Sequence, residues 1–303
     1  MCDIWKNRSV ESLRANDLSS HLDSIRKLGV QWIVFSGGEP LLNPELPLLC
    51  SIFRQENIRL TLLTTGLLLS KKANEVVASF DEVIVSLDGP PEIHDAIRRV
   101  DGAFALVEAG VKALRDRRID FRITARMVVQ KANHRHLRDT ARAAKNLHLD
   151  AISFLAADLT STAFNRPLVW PTIRQEQVSL NLLELGALET EIDLLIGDIA
   201  HEFSDDFIVE TPEKLQRIPR HFRVQLGLKL PESPVCNAPW VSAVIETDGT
   251  VRPCFFHKAI GNVHQQSLKS ILNGRLAQEF RESLDIPTDP ICNRCVCSLH
   301  YRR

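Results

Sequence analysis

The chain has 303 residues, 44% of them hydrophobic and 25% charged, and its formal net charge is −1. This composition is typical of a soluble globular protein, and the near-neutral charge gives no reason to expect binding to nucleic acid or to an anionic membrane. No apolar run reaches the roughly 18 residues of a membrane-spanning helix, and the first residues lack a signal-peptide layout. We therefore expect a cytoplasmic protein.

The first two thirds of the sequence alternate short β-branched runs with apolar residues at helical spacing. The predicted helices cover residues 16–28, 44–55, 70–79, 104–114, 133–146 and 176–203. The predicted strands cover residues 31–35, 58–64, 83–87, 119–129 and 151–155. Strands that alternate with helices of this length predict βαβ units and a parallel sheet.

The character of the sequence changes after the long helix. Residues 204–235 are rich in proline and predict an irregular connector with a short helix near 213–217. Runs at 241–246 and 250–255 flank Thr247-Asp248-Gly249, which predicts a hairpin, and a helix over 267–284 follows. We therefore divide the chain into residues 1–203, a connector over 204–235, and a C-terminal domain over 236–303.

A short loop, Ser36-Gly37-Gly38-Glu39-Pro40, follows the first predicted strand. Its two glycines allow a sharp turn and a close approach of the backbone to a ligand, and its proline stiffens the exit. The glutamate is an acceptor suited to a ligand ammonium or hydroxyl group. Ligands of parallel sheets collect at the carboxyl ends of the strands, so we expect this loop to share one rim with Thr65, Ser86 and Asp88.

Cysteines are concentrated near the C-terminus, at positions 236, 254, 292, 295 and 297. Cytosolic thiols stay reduced, so such a group indicates metal binding rather than disulfides. Thiolates suit either Zn²⁺ or an iron–sulfur cluster, and a zinc ribbon is the simpler alternative. Cys50 stands alone among leucines and is interpreted as core packing.

Two of these patterns resemble one enzyme family. The loop at 36–40 resembles the GGEP motif of radical S-adenosylmethionine (SAM) enzymes. Gly249 between Cys236 and Cys254, followed by the Cys292-x2-Cys295 knuckle, resembles the SPASM and twitch extensions of that family. Full SPASM domains carry a further cysteine where this chain has Tyr301, so the four-cysteine twitch form fits better. Cys297 is then a spare thiol or an alternative ligand.

The resemblance implies a partial (β/α)6 barrel that binds SAM and a [4Fe–4S] cluster, with one auxiliary [4Fe–4S] cluster in the C-terminal domain. Family members hold the first cluster with three cysteines, and Cys2 matches the third of them. The first two cysteines and the first strand would then precede Met1, through a late start, a fragment or a degenerate site. An ordinary exposed terminal cysteine is the alternative interpretation of Cys2.

The resemblance also implies site residues, but no general base. The implied metal ligands are Cys2, Cys236, Cys254, Cys292, Cys295 and Cys297. The implied cofactor-binding residues are Gly37, Gly38, Glu39, Pro40, Thr65, Ser86, Asp88 and Arg126. Arg126 could instead be a surface arginine, and His94-Asp95 could be the cap of a helix start.

The implied activity is reduction of SAM to methionine and a 5′-deoxyadenosyl radical, which abstracts hydrogen from a small molecule or a peptide. An electron would come from a reductant such as flavodoxin or ferredoxin, and the auxiliary cluster favours a redox outcome such as dehydrogenation or cross-linking. The alternative is a non-catalytic iron–sulfur electron carrier or binding protein whose SAM site has lapsed.

Overall fold

The computed structural model describes residues 12–163, 166, 168–203 and 206–301. Its main sheet is parallel, with strands in the order β1-β2-β3-β4-β5. A second sheet, antiparallel and of order β6-β7-β8, lies in the C-terminal part. The strands are β1 Trp32–Phe35, β2 Arg59–Thr64, β3 Glu82–Ser86, β4 Arg122–Val129, β5 Ala151–Ala156, β6 Val244–Ile245, β7 Thr250–Arg252 and β8 Gly261–Asn262.

Helices follow most strands of the main sheet, as the alternating pattern predicts. They are α1 Ala15–Ser19, α2 Leu22–Leu28, α3 Leu46–Arg54, α4 Leu69–Ser79, α5 Pro91–Arg98, α6 Ala103–Arg115, α7 Leu137–Asn146, α8 Thr172–Val178, α9 Leu182–Glu202, α10 Pro212–Leu215, α11 Arg217–Gln225, α12 Ala238–Val241, α13 Leu268–Asn273 and α14 Arg275–Ser283. Two 3-10 turns cover Pro40–Leu42 and Cys292–Arg294. In the described part of the chain, no helix is long and apolar enough to cross a bilayer.

Four segments predicted as single helices are each two helices. The predicted helix over 176–203 breaks at residues 179–181, where the Asn181 side chain accepts from the N–H of Glu184 and the Glu184 carboxylate accepts from the N–H of Asn181. This capping box starts α9 afresh. The predicted helix over 267–284 breaks at Gly274, which is extended. The predicted helix over 16–28 is α1 and α2, and the helix predicted near 213–217 is α10 and α11.

The two faces of the main sheet differ in their burial. Residues such as Leu62, Val85 and Ile123 are fully buried under the helices. The alternate residues face the other way, and we call this side the open face. In the parallel register, Ser86 pairs with Arg126 and Arg126 pairs with Ser153. This row of polar side chains therefore crosses three strands of the open face, from the carboxyl end of β3 to the middle of β4 and of β5.

A buried histidine attaches the small sheet to the rest of the protein. The Nδ1 atom of His21 accepts from the N–H of Leu268 at 3.2 Å, so Nε2 carries the proton and donates to the carbonyl oxygen of Val263 at 3.0 Å. Only 5% of His21 is exposed. Because both ring nitrogens are used, the imidazole fixes the start of α13 against α2 with little freedom to rotate.

Candidate cofactor and cluster site

The loop after β1 is shaped by its glycines. Gly37 has φ +148°, and both Gly37 and Gly38 are solvent-exposed. A φ in this region favours glycine. Within the described residues, no hydrogen bond uses the carbonyl oxygen of either glycine. Two main-chain acceptors therefore stand at the carboxyl end of β1, where the sequence predicts a ligand.

The carboxylate of Glu39 is engaged within the protein. It accepts from the hydroxyl of Thr64 at 2.8 Å, from the N–H and hydroxyl of Thr65, and from the N–H of Leu41 at 3.2 Å. Four donors hold one carboxylate, and bonds to a charged acceptor are the stronger kind. Glu39 therefore ties the glycine loop to the end of β2. The acceptors that this loop leaves free for a ligand are the carbonyl oxygens of the glycines.

The other predicted cofactor-binding residues lie along the same rim. Thr65 joins the loop through Glu39, and Pro40 is buried beneath it. Ser86 and Arg126 pair in register on the open face. The Nε–H of Arg126 donates to the hydroxyl of Ser153 at 3.2 Å. The structure therefore brings four of the predicted positions to one edge of the sheet, where their role in binding stays a prediction.

Asp88 has different surroundings from the other rim residues. Its carboxylate is fully buried and forms an ion pair with Arg98 at 2.7 Å. Its N–H donates to Nδ1 of His94, and its carbonyl oxygen accepts from the side chain of Asn133. Burial, and to a lesser extent the nearby Arg98, lowers the pKa of His94 to about 4, while Asp88 and Asp95 act in the opposite direction. The network fixes the turn after β3.

Asp95 caps a helix, as one interpretation of the sequence predicted. Its carboxylate accepts from the N–H groups of Gly102 and Phe104, both at 2.8 Å. Those amides open α6, so the cap acts on the helix that follows and not on α5, which contains Asp95. Asp95 therefore helps to start a helix, but from inside α5, and His94 takes no part in it.

The cysteine group draws on two distant parts of the chain. Cys236 precedes α12, and Cys254 leaves β7. Cys292 and Cys295 bracket a 3-10 turn in which the N–H of Cys295 donates to the carbonyl oxygen of Cys292. The thiol of Cys295 donates to the carbonyl oxygen of Cys297 at 2.6 Å. Cys2 lies outside the described residues, and Cys50 is fully buried in the core, as predicted.

A clamp holds these two parts together. The N–H of Asn237 donates to the carbonyl oxygen of Leu299 at 2.7 Å. The side-chain amide of Asn237 donates to the carbonyl oxygen of Tyr301 at 2.7 Å and accepts from its N–H at 2.9 Å. Asn237 follows Cys236 directly, so these three bonds fix that cysteine beside the tail that carries Cys295 and Cys297.

The thiols lie close enough to disfavour one another's ionisation. Burial raises the pKa of Cys292 to about 12, and Asp289, Cys254 and Cys236 add to the increase. Burial raises the pKa of Cys254, and Cys236 and Cys297 contribute. Half-buried thiols with raised pKa values become thiolates only when a metal centre supplies the compensating positive charge. The site therefore has the chemistry of a metal-binding set.

The spacing of the thiols distinguishes between a zinc ion and a cluster. Four sulfurs around one Zn²⁺ would lie about 3.8 Å apart, given Zn–S bonds of about 2.3 Å. Across the described ranges, the one group of three or more ligand atoms within 4.8 Å of each other is His257, Asp289 and Cys292. The cysteine sulfurs are thus more widely spread than a single zinc ion needs. An iron–sulfur cluster binds each thiolate at a different iron, so it does not need the sulfurs to converge on one ion.

A cavity of about 200 Å³ separates the tail from the open face. The β4–β5 side contributes Arg126 and Ser153, the tail contributes Cys295 and Cys297, and α10 and α11 close the remaining side. Five cationic side chains line it: Arg126, Lys214, Arg217, Arg220 and Arg294. Its two carboxyl groups are Glu232, which pairs with Arg220, and Glu210. Burial raises the pKa of Glu210 to about 7, although the N–H of Phe154 and Arg126 lower it.

Several residues of the site were missed from the sequence. Asn237, His257, Asp289 and Glu210 matter only through partners far away along the chain. The Asn237 contact with Tyr301 spans 64 residues and the His257 contact with Cys292 spans 35. No local pattern marks such pairs, although the position of Asn237 beside a predicted metal ligand was a signal that could have been used.

Two family models match the chain. Residues 1–144 match the radical SAM superfamily, and residues 236–296 match SPASM, described as an iron–sulfur cluster-binding domain. The second match ends before Cys297. The radical SAM domain implies SAM and a [4Fe–4S] cluster, and the SPASM domain implies auxiliary iron–sulfur chemistry.

Individual relatives agree with these matches. The antilisterial bacteriocin subtilosin biosynthesis protein AlbA of Bacillus subtilis is 28% identical over 83% of this chain and 51% of its own length. An AdoMet-dependent heme synthase of Methanosarcina barkeri is 30% identical over 48% of this chain and 44% of its own. The chain thus spans about half the length of these relatives. The fold resembles Streptococcus suis SuiB bound to precursor peptide SuiA, with TM-score 0.66, 15% identity, and coverage of 98% and 68% of the two chains.

We predict that Asn237→Ala loosens the tail and lowers iron incorporation on anaerobic reconstitution. The substitution removes both side-chain bonds to Tyr301, at a cost of about 1–2 kcal/mol, while Asn237 keeps its main-chain bond to Leu299. Hydrogen exchange at the amide of Tyr301, which now lacks its acceptor, is expected to accelerate. Asn273→Ala is the matched control, because its side chain bonds only within its own helix, to Lys269. Equal exchange rates in both variants would contradict the clamp.

Proposed function

The chain belongs to the radical SAM superfamily and carries a SPASM iron–sulfur domain, and on this premise we propose that it abstracts hydrogen from a substrate with a 5′-deoxyadenosyl radical. When bound, SAM supplies that radical by taking one electron and releasing methionine. The observation that supports the proposal is the spatial arrangement of the site. One cavity is lined both by Arg126, which pairs with Ser86 of the next strand, and by Cys295 and Cys297 of the cysteine group.

Each part of the chain has a distinct task in this proposal. The carbonyl oxygens of Gly37 and Gly38 accept from the ammonium of SAM, and Glu39 and Thr65 keep the loop in place. Ser86 and Arg126 bind the polar end of the cofactor, and the buried Asp88–Arg98 pair supports them from below. The five-stranded sheet would be part of a (β/α)6-type barrel over residues 1–203, with residues 236–303 as the auxiliary-cluster domain. Cys2 would contribute one thiolate to the SAM cluster.

The cavity between Arg126 and Cys297 is the proposed substrate site. Its walls come from the open face, the tail and α11, so a substrate there would meet both proposed cofactor sites. Its lining has five cationic side chains and two carboxyl groups, the Arg220–Glu232 pair removes one of each, and burial raises the pKa of the remaining Glu210 to about 7. This balance favours a substrate that presents a carboxylate or another anionic group.

Two substrate classes remain under the proposal, and each has a relative in its favour. SuiB was solved with a precursor peptide, which supports a peptide substrate. The heme synthase relative supports a small molecule with acidic groups. An iron–sulfur electron carrier that does not cleave SAM is the non-catalytic alternative, and it predicts a cluster in the C-terminal domain without any SAM chemistry.

The proposal predicts that the protein, expressed with any in-frame coding sequence that precedes Met1, forms 5′-deoxyadenosine. The expected result is at least one equivalent per chain after anaerobic reconstitution and addition of dithionite and SAM, measured by mass spectrometry. Product must depend on both SAM and reductant. A protein with a full complement of iron that binds SAM without cleaving it would overturn the proposed activity.

We predict that Glu39→Gln weakens SAM binding at least tenfold, which corresponds to about 1.4 kcal/mol. In the unchanged protein, four donors share the Glu39 carboxylate. The glutamine amide places an NH2 group among these donors, so the glycine loop loses its anchor. Isothermal titration of the reconstituted protein with SAM measures the change. Glu45→Gln is the control, because the Glu45 carboxylate also accepts a main-chain N–H, but from Ala15 of α1 at 2.8 Å and not from the glycine loop or the end of β2. Unchanged affinity in the Glu39 variant would exclude the anchoring role.

The ligand set predicts different outcomes for two cysteine variants. Cys254→Ser should abolish the auxiliary cluster and remove about four irons per chain, since Cys254 is one of the four thiols within the matched domain. Cys297→Ser should retain them, because Cys297 is exposed and its contact with Cys295 is made by its carbonyl oxygen, which serine keeps. Iron analysis after reconstitution decides. Loss of the cluster in the Cys297 variant would show that Cys297 is a ligand.

A further inference from the structure

His257 makes a direct contact with one of the proposed cluster ligands. Its Nε2 atom lies 3.2 Å from Sγ of Cys292, although the two residues are 35 positions apart. The imidazole is buried, with 5% of its surface exposed. The ring of Phe280 packs against it at 4.8 Å between centroids. His257 is therefore held in place between an aromatic ring and a thiol, away from bulk water.

The neighbouring acceptors show where the Nε2 proton points. The nearest carboxylate oxygen, Oδ1 of Asp289, lies 4.0 Å from Nε2. That oxygen already accepts the N–H groups of Ile291 at 2.9 Å and Cys292 at 2.8 Å. The sulfur is nearer and, as a thiolate, is a hydrogen-bond acceptor. With the proton on Nε2, the imidazole therefore donates to Cys292.

Cys292 thus lies between two opposing influences. The carboxylate of Asp289 places a negative charge beside the sulfur, and this charge disfavours further negative charge on a cluster bound there. An N–H···S bond from His257 has the opposite effect, because hydrogen bonds to ligand sulfurs stabilise the reduced, more negative state of a cluster. Asp289 shapes the knuckle by accepting hydrogen bonds from two main-chain N–H groups. The hydrogen bond from His257 offsets the repulsion that this carboxylate exerts on a reduced cluster.

We propose that His257 is a positioning residue that raises the reduction potential of the auxiliary cluster by donating a hydrogen bond to Cys292. The inference rests on the auxiliary-cluster part of the proposed function and not on SAM cleavage. Its consequence is that the C-terminal domain accepts an electron more readily than its acidic knuckle alone would allow. That property suits a centre that takes up an electron from an oxidised substrate.

The experiment is a potentiometric titration of the auxiliary cluster, followed by electron paramagnetic resonance. All variants carry Cys2→Ser, so the signal comes from the C-terminal domain and does not depend on SAM cleavage. His257→Phe fills the space beside Phe280 but donates no hydrogen bond. We expect its equilibrium constant for one-electron reduction to fall at least tenfold, which equals 59 mV for a one-electron couple. His257→Gln, which keeps an N–H donor, should restore part of the shift.

Asp289→Asn supplies a test of opposite sign. The amide oxygen can still accept from Ile291 and Cys292, but the negative charge is gone, so the reduction potential should rise. His264→Phe is the control, because His264 is half exposed and its one ion-pair contact is with Asp17. Iron content must stay at the level of the unchanged protein in every variant that is compared.

Three results would overturn the proposal. The first is an unchanged potential in His257→Phe with a full cluster. The second is a shift of the same sign in His257→Phe and Asp289→Asn, which would indicate a structural effect. The third is one zinc ion per chain that disappears in both variants, since His257, Asp289 and Cys292 could also hold a single divalent ion. Should His257→Phe fail to assemble a cluster, the Gln and Asn variants still decide the sign.

Discussion

The auxiliary site depends on the pairing of Asn237 with residues 299 and 301. Its thiols come from a hairpin on one side of two helices and from a knuckle on the other side, and no disulfide holds the two parts together in the described chain. Three hydrogen bonds do so instead. These bonds bring together thiols that each disfavour ionisation of the others. The geometry therefore presupposes a metal centre whose charge reverses that preference.

A second constraint operates in the glycine loop after β1. The Glu39 carboxylate collects four donors from the loop and from the end of β2, so a strong acceptor is used to shape main chain and not to contact a ligand. The glycines then present their carbonyl oxygens. At both sites a half-buried polar side chain, Asn237 or Glu39, organises the backbone. The groups that then suit a cofactor are the cysteine thiols at one site and the glycine carbonyl oxygens at the other.

Much of the fold could be predicted from the sequence, because the parallel sheet follows from local periodicity. All five strands of the main sheet and the hairpin were located correctly, whereas β8 of the small sheet was missed. The helix breaks at Asn181 and Gly274 were missed, since apolar periodicity continues across them, although the Asn-x-x-Glu capping pattern was readable. The role of Glu39 was anticipated as ligand contact, yet its donors come from Thr64 and Thr65, which only the parallel register places nearby. His257 could not be found, because its partner lies beyond two helices.

The central claim is that residues 236–296 hold an iron–sulfur cluster beside the substrate cavity. The most direct measurement is the Mössbauer spectrum of protein reconstituted anaerobically with ⁵⁷Fe. In protein that carries Cys2→Ser, so that only the C-terminal domain contributes, the account predicts the quadrupole doublet of a [4Fe–4S]²⁺ centre that disappears when Cys254→Ser is added. A spectrum without cluster iron, together with one bound zinc ion per chain, would contradict it.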